Sequence, residues 1–126
     1  MKSLVVDDSW ITRKVMSKLL ERFGIEALEA DDGANALTIL NDNPEIEIIF
    51  LDWNMPLMTG IEFLQRVKND DRYKMLKVVM VTGNTEMSFV VSAIAEGVDE
   101  YIMLPIDKNI LEEKLALLGV FPLASK

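Results

Sequence analysis

The sequence predicts a single α/β domain in which a five-stranded parallel sheet is covered by helices on both faces. Three observations predict it: apolar runs of strand length alternate with amphipathic stretches of helical period, the links are short, and the inner runs are apolar at nearly every position. Continuous apolar strands separated by helices imply a parallel sheet buried on both sides. A chain of 126 residues is the size of one ordinary domain, and at 50% apolar residues it can bury a real core.

The elements follow in order. Leu4-Val5-Val6 reads as a short buried strand. From Trp10 the period turns helical, with Ile11, Val15, Leu19 and Phe23 recurring every fourth position and Met16 and Leu20 alongside. Ser9 caps this helix and Gly24 ends it. Ile25 to Ala30 alternates apolar residues with Glu26 and Glu29, the mark of a half-exposed edge strand. Ala34, Leu37 and Leu40 carry a second helix, stopped by Asn43-Pro44, and Ile46 to Leu51 is the most apolar strand candidate. After a polar loop from Asp52 to Gly60, Thr59-Gly60-Ile61-Glu62 matches a capping box and starts a third helix. Val78 to Val81 is the fourth strand, and Asn84 or Thr85 caps a helix running to Gly97. Tyr101-Ile102-Met103 is the fifth strand, and Asp107 caps a last helix carrying Leu111, Leu115 and Leu118. No linker, repeat or low-complexity segment appears, so residues 1–126 read as one domain.

Composition removes whole classes of chemistry. With no cysteine there is neither a disulfide framework nor a thiolate metal site, and with no histidine there is no Ser-His-Asp or Cys-His catalytic unit. A net charge of −8 repels nucleic acid and anionic lipid, leaving proteins and cations as the expected partners. The N-terminal apolar run is too short for a signal peptide, and no stretch approaches the roughly 20 apolar residues of a membrane span. A cytoplasmic protein is expected.

In an open parallel sheet, ligands bind beyond the carboxyl ends of the strands, where the strand order reverses. Asp7-Asp8 follow the first strand, Asp52 the third, Thr82 the fourth and Leu104 the fifth. Each alone is ordinary turn or cap chemistry. Together they are harder to dismiss, because polar oxygens then end several apolar strands at one edge. If the first and third strands are neighbours, their carboxylates converge and repel one another. Either some are protonated or a hard divalent cation sits among them. Mg²⁺ suits such a site, since it takes a few carboxylate oxygens and keeps several waters.

Leu4-Val5-Val6-Asp7-Asp8-Ser9 resembles the opening of response-regulator receiver domains, the CheY-like family. Asp52-Trp53-Asn54-Met55-Pro56 with Gly60 resembles their phospho-acceptor loop, and Val81-Thr82-Gly83 their switch-threonine segment. Tyr101 and Pro105 stand where the family has an aromatic switch residue and a proline. The resemblance spans essentially the whole chain in order, and its pieces are specific as a set. It implies a flavodoxin/CheY-like (βα)5 fold of strand order 2-1-3-4-5, an order that rests on the resemblance alone. It implies two-component signalling: Asp52 accepts a phosphoryl group from a sensor histidine kinase or phosphotransfer protein. Asp8 and Asp52 would bind Mg²⁺ through side chains, Asn54 through its backbone carbonyl, and Asp7 through water. Thr82 would move toward the phosphate and Tyr101 turn in response, remodelling the docking face of the fourth helix, fifth strand and fifth helix. Gly83 leaves room for phosphate, and Asn54 and Asn84 stand where they would tune dephosphorylation. The expected protein is a regulator and not an enzyme beyond its own phosphorylation and dephosphorylation. It would act as a monomer on a downstream protein in chemotaxis or another phosphorelay, with no output segment appended in this sequence.

The sequence departs from the family in one place. A lysine normally precedes the proline, and here Leu104 does, with Lys108 expected to point elsewhere from the last helix. A charge-assisted hydrogen bond contributes about 1.5–3 kcal/mol, so its loss should weaken phosphate-driven switching by roughly 10- to 100-fold. The plainer reading is that Leu104 packs at the strand end, as Tyr101 could on its own strand. A cis bond at Leu104-Pro105 is expected, since such bonds occur mainly before proline.

Three alternatives compete. A receiver fold that works by docking alone is favoured by Leu104 and opposed by retention of Asp8, Asp52, Asn54 and Thr82. A haloacid-dehalogenase type of phosphatase needs a second aspartate two residues after the nucleophile, where this chain has Asn54. A flavodoxin-like flavin carrier needs a Ser-, Thr- and Gly-rich phosphate loop after the first strand, where this chain has Asp7-Asp8.

Overall fold

A computed structural model describes residues 1–53, 59–83 and 87–119, and of Met87 and Phe89 the backbone alone. Strands β1 (Lys2–Val6), β2 (Glu26–Ala30), β3 (Ile46–Asp52), β4 (Lys77–Thr82) and β5 (Glu100–Met103) alternate with helices α1 (Trp10–Arg22), α2 (Gly33–Asp42), α3 (Gly60–Lys68), α4 (Met87–Glu96) and α5 (Lys108–Leu118). All pairings are parallel and the order is β2-β1-β3-β4-β5, as the resemblance implied. The chain runs outward from β1 to β2, then returns to place β3 on the other side of β1. The order therefore reverses between β1 and β3.

Strand alternation splits the interior into two layers. On one face Leu4, Val6, Ile49, Leu51, Val78 and Met80 pack with Ala36 and Leu40 of α2, Phe63 and Leu64 of α3, and Val90 and Ala93 of α4. On the other, Val5, Ile48, Phe50, Val79, Val81 and Ile102 pack with Met16 and Leu20 of α1 and Leu111 and Leu115 of α5. Each fully buried aliphatic or aromatic side chain contributes about 1.5–3 kcal/mol, so these two layers outweigh every polar contact on the surface.

The caps read from sequence are in place. Ser9 Oγ accepts from Thr12 N, and Asp107 Oδ1 accepts from Ile110 N. Thr59 and Glu62 form a reciprocal capping box. The expected caps Asn84 and Thr85 lie outside the described residues.

α1 sits rotated from the expected stripe. Its core face is Met16, Ser17 and Leu20, while Ile11 is 68% and Val15 44% exposed. The helix carries two apolar stripes side by side, and hydrogen bonds to β2 choose between them. Ser17 Oγ donates to Glu29 Oε2, and Arg13 and Lys14 pair with the same carboxylate. A short 3₁₀ turn, Asp71–Tyr73, capped by Asp70, precedes β4 and carries no periodic signal. Leu104-Pro105 is cis, as expected.

Candidate functional site

The site grows from the carboxyl end of β1. Asp7 N donates to Ala30 O of β2 at 3.1 Å, extending the strand by one residue. Asp7 Oδ1 then accepts from Ser9 N at 2.8 Å, turning the chain into α1. Arg13, in the first turns of α1, donates from Nη1 to Asp7 O at 2.7 Å. These contacts together pin the short turn that carries Asp7 and Asp8. The basic residue one helical turn beyond a capping serine was the only sequence signal for Arg13, and it is a common one.

The register of β1 against β3 pairs Val6 with Leu51, so Asp7 and Asp52 come next on neighbouring strands. One carboxylate oxygen from each of Asp7, Asp8 and Asp52 lies within 4.8 Å of the other two. This is the convergence expected from the strand ends. Asp7 is 6% exposed, Asp52 is half-buried and Asp8 is exposed, giving the cluster a floor and an open mouth. Burial pushes the Asp7 carboxyl above the usual aspartate range, Asp8 adds to that, and the hydrogen bond from Ser9 and the charge of Arg13 oppose it.

Thr82 ends β4 one residue beyond the Asp52–Val81 pair and is buried. Its carbonyl accepts from Leu104 N at 2.9 Å, tying the ends of β4 and β5 together. Tyr101 lies further back on β5, opposite Met80, and is not part of the carboxylate cluster. Asn54 and Asn84 lie outside the described residues. Leu104 is half-buried against the α1–α5 core layer, and with Ile11, Thr12, Val15, Pro105 and Ile106 it lines an apolar groove. This is the plain packing reading of that residue. Lys108 is exposed at the start of α5.

Behind Asp52, Trp53 is buried in the α2–α3–α4 layer and its carbonyl accepts from Gly60 N at 3.3 Å. A Cβ on residue 60 would lie 2.6 Å from Trp53 Cε3 and 3.0 Å from its Cα. The close approach admits only glycine, a role that residue type and position alone do not separate from ordinary loop usage. Trp53 and Gly60 are therefore clamped against each other.

Residues 3–116 match the response regulator receiver domain family. Chemotaxis protein CheY1 of Helicobacter pylori is 38% identical over 116 residues, spanning 91% of this chain and 94% of that protein. Chemotaxis protein CheY of Pseudomonas aeruginosa is 39% identical over the same length, spanning 91% and 93%. Among solved structures, chemotaxis protein CheY4 of Vibrio cholerae superposes with a TM-score of 0.85 at 32% identity, covering 93% of this chain and 97% of that one. Five parallel strands in the order 2-1-3-4-5, acidic side chains gathered where that order reverses, and a family match over most of the length lead to one conclusion: the chain belongs to the response-regulator receiver domain family.

Proposed function

We propose that this chain is a single-domain, phosphorylation-dependent signalling switch of the chemotaxis type, which accepts a phosphoryl group on Asp52. The observation that carries the reading is the meeting of three carboxylates from two strand ends within 4.8 Å. So much negative charge in so small a space, part of it buried, fits a hard divalent cation with oxygen ligands. Asp8 and Asp52 would hold Mg²⁺ directly, Asn54 through its carbonyl and Asp7 through water. When bound, Mg²⁺ neutralises charge on the oxygens of the transferring group and orients it.

The remaining steps belong to the chain. An Asp52 carboxylate oxygen attacks phosphorus in line with the donor's phosphohistidine nitrogen. The P–O bond forms as the P–N bond breaks, and the imidazole leaves. The Thr82 hydroxyl, at the adjacent strand end, donates to a phosphoryl oxygen. Tyr101 then turns into the space that Thr82 vacates, and the face of α4, β5 and α5 presents a new surface to a downstream protein. The protein works as a cytoplasmic monomer, with residues 1–126 as one receiver domain. It turns over no small substrate. Among the described residues no helix is long and apolar enough to cross a membrane.

A second reading, a docking module with weak or no phosphate-driven switching, is favoured by the apolar packing of Leu104. Incubation with acetyl phosphate and Mg²⁺ followed by intact-mass measurement separates the two. A single phosphoryl adduct on the wild type that is absent from Asp52→Asn is the expected result. An adduct on Asp52→Asn would overturn the acceptor assignment, and no adduct on either protein would favour the docking module.

A further inference from the structure

The open edge of β5 carries a charged device that the acidic cluster does not use. Among the described residues β5 pairs with β4 alone, so its outer side meets no further strand there. Tyr101 packs against the layer under α4, whereas α5 covers the opposite face through Leu111 and Leu115. Lys114 reaches from α5 around this edge and sets its Nζ 4.4 Å from the centroid of the Tyr101 ring. The same ammonium lies 3.0 Å from Glu100 Oε1, which also accepts from Tyr101 N at 3.0 Å. The Lys114 and Glu100 side chains are only 18% and 20% exposed, well below the ordinary solvated ion pair. A cation held by a half-buried carboxylate over an aromatic face is a fixed contact, and moving the ring means giving it up.

We propose that Lys114 is a positioning residue, a latch that holds the Tyr101 ring in its resting rotamer, with Glu100 as the anchor of the latch. This rests on the reading of Tyr101 as part of the responsive docking face, and it adds what that ring must break before it moves. A cation–π contact of this kind biases a two-state ring by about 2- to 30-fold. Loss of the Lys114 charge therefore releases Tyr101 without any phosphoryl group.

The test is ¹⁹F NMR of the full chain labelled with 3-fluorotyrosine, with Tyr73→Phe to assign the two tyrosine resonances. Lys114→Met keeps the aliphatic stem and removes the charge, Lys114→Arg keeps a cation that stacks, and Glu100→Gln loosens the anchor. Lys114→Met is expected to shift the Tyr101 resonance and raise its minor conformer by about 2- to 30-fold. Lys114→Arg should restore the wild-type spectrum and Glu100→Gln should fall between. A Tyr101 resonance unchanged in Lys114→Met, or changed equally by Arg and Met, would overturn the latch. Beryllofluoride with Mg²⁺, a phosphoryl mimic, tests the underlying reading separately. If it leaves Tyr101 unmoved in the wild type while Lys114→Met moves it, the latch stands and the switch role of Tyr101 fails. If it moves Tyr101 and Lys114→Met does not, the latch alone fails.

Discussion

Asp7 shows how single residues divide the work at the strand ends. It is the most buried of the three acids, and its carboxylate is already committed to Ser9 N. That suits a residue that shapes the floor of the site, while half-buried Asp52 lies nearer its mouth, as the proposed acceptor role requires. Gly60 does its part by having no side chain. Gly60→Ala forces Trp53 to move at both ring and backbone, so we expect a loss of about 1–3 kcal/mol in urea unfolding and an altered Trp53 emission. Unchanged emission would show that the clamp behind Asp52 is looser than its geometry. Leu104 stands where the family resemblance led to the expectation of a lysine. Leu104→Lys should strengthen the beryllofluoride-induced change in Tyr101 by roughly 10-fold, read from the mimic concentration at half effect. An unchanged midpoint would mean that the missing cation is not what limits coupling. The identity of the acidic residues was legible because carboxylates that end apolar strands are rare as a set. The roles of Gly60 and Arg13 were not, because both depend on which atoms lie nearby in space.

At the scale of elements, most of the fold was legible because period, caps and breakers agreed. The capping box at Thr59 and the caps at Ser9 and Asp107 were visible as residue types at fixed offsets. Asp32, which caps α2 by accepting from Asn35 N, was not legible as a cap, because Asp31-Asp32 precedes a glycine and reads equally well as a turn. The rotation of α1 was illegible for a different reason. Two apolar stripes compete there, and Glu29 on β2 decides between them by gathering Arg13, Lys14 and Ser17. Burial alone would push Glu29 up, but the combined hydrogen bonds of Lys14, Ser17 and Arg13 hold it below the usual glutamate range. A carboxylate lowered in the folded state stabilises the fold above its unfolded pKa and loses that contribution as pH falls through the folded one. Glu29→Gln should therefore cost about 1–2 kcal/mol at pH 7. The gap to the wild type should close as pH drops below about 4.3. A gap independent of pH, measured by urea unfolding across that range, would show that the charge of Glu29 contributes nothing.

For the molecule as a whole, the proposed function rests on one topological fact. The strand order reverses between β1 and β3, and the acids at their ends therefore share one mouth while both sheet faces stay dry. The net charge of −8 raises the local concentration of cations around that mouth. The most direct measurement of a cation held between these strand ends is a Mg²⁺ titration followed by Trp53 emission in a Trp10→Phe background, repeated with Asp8→Asn and with Asp52→Asn. Trp53 is buried beside Asp52, and Trp10 is 62% exposed and would add background. A saturable change is expected in the parent protein, with affinity weakened by at least about tenfold in each variant. Equal Mg²⁺ affinity in all three proteins, or no saturable change in the parent, would contradict a shared cation site.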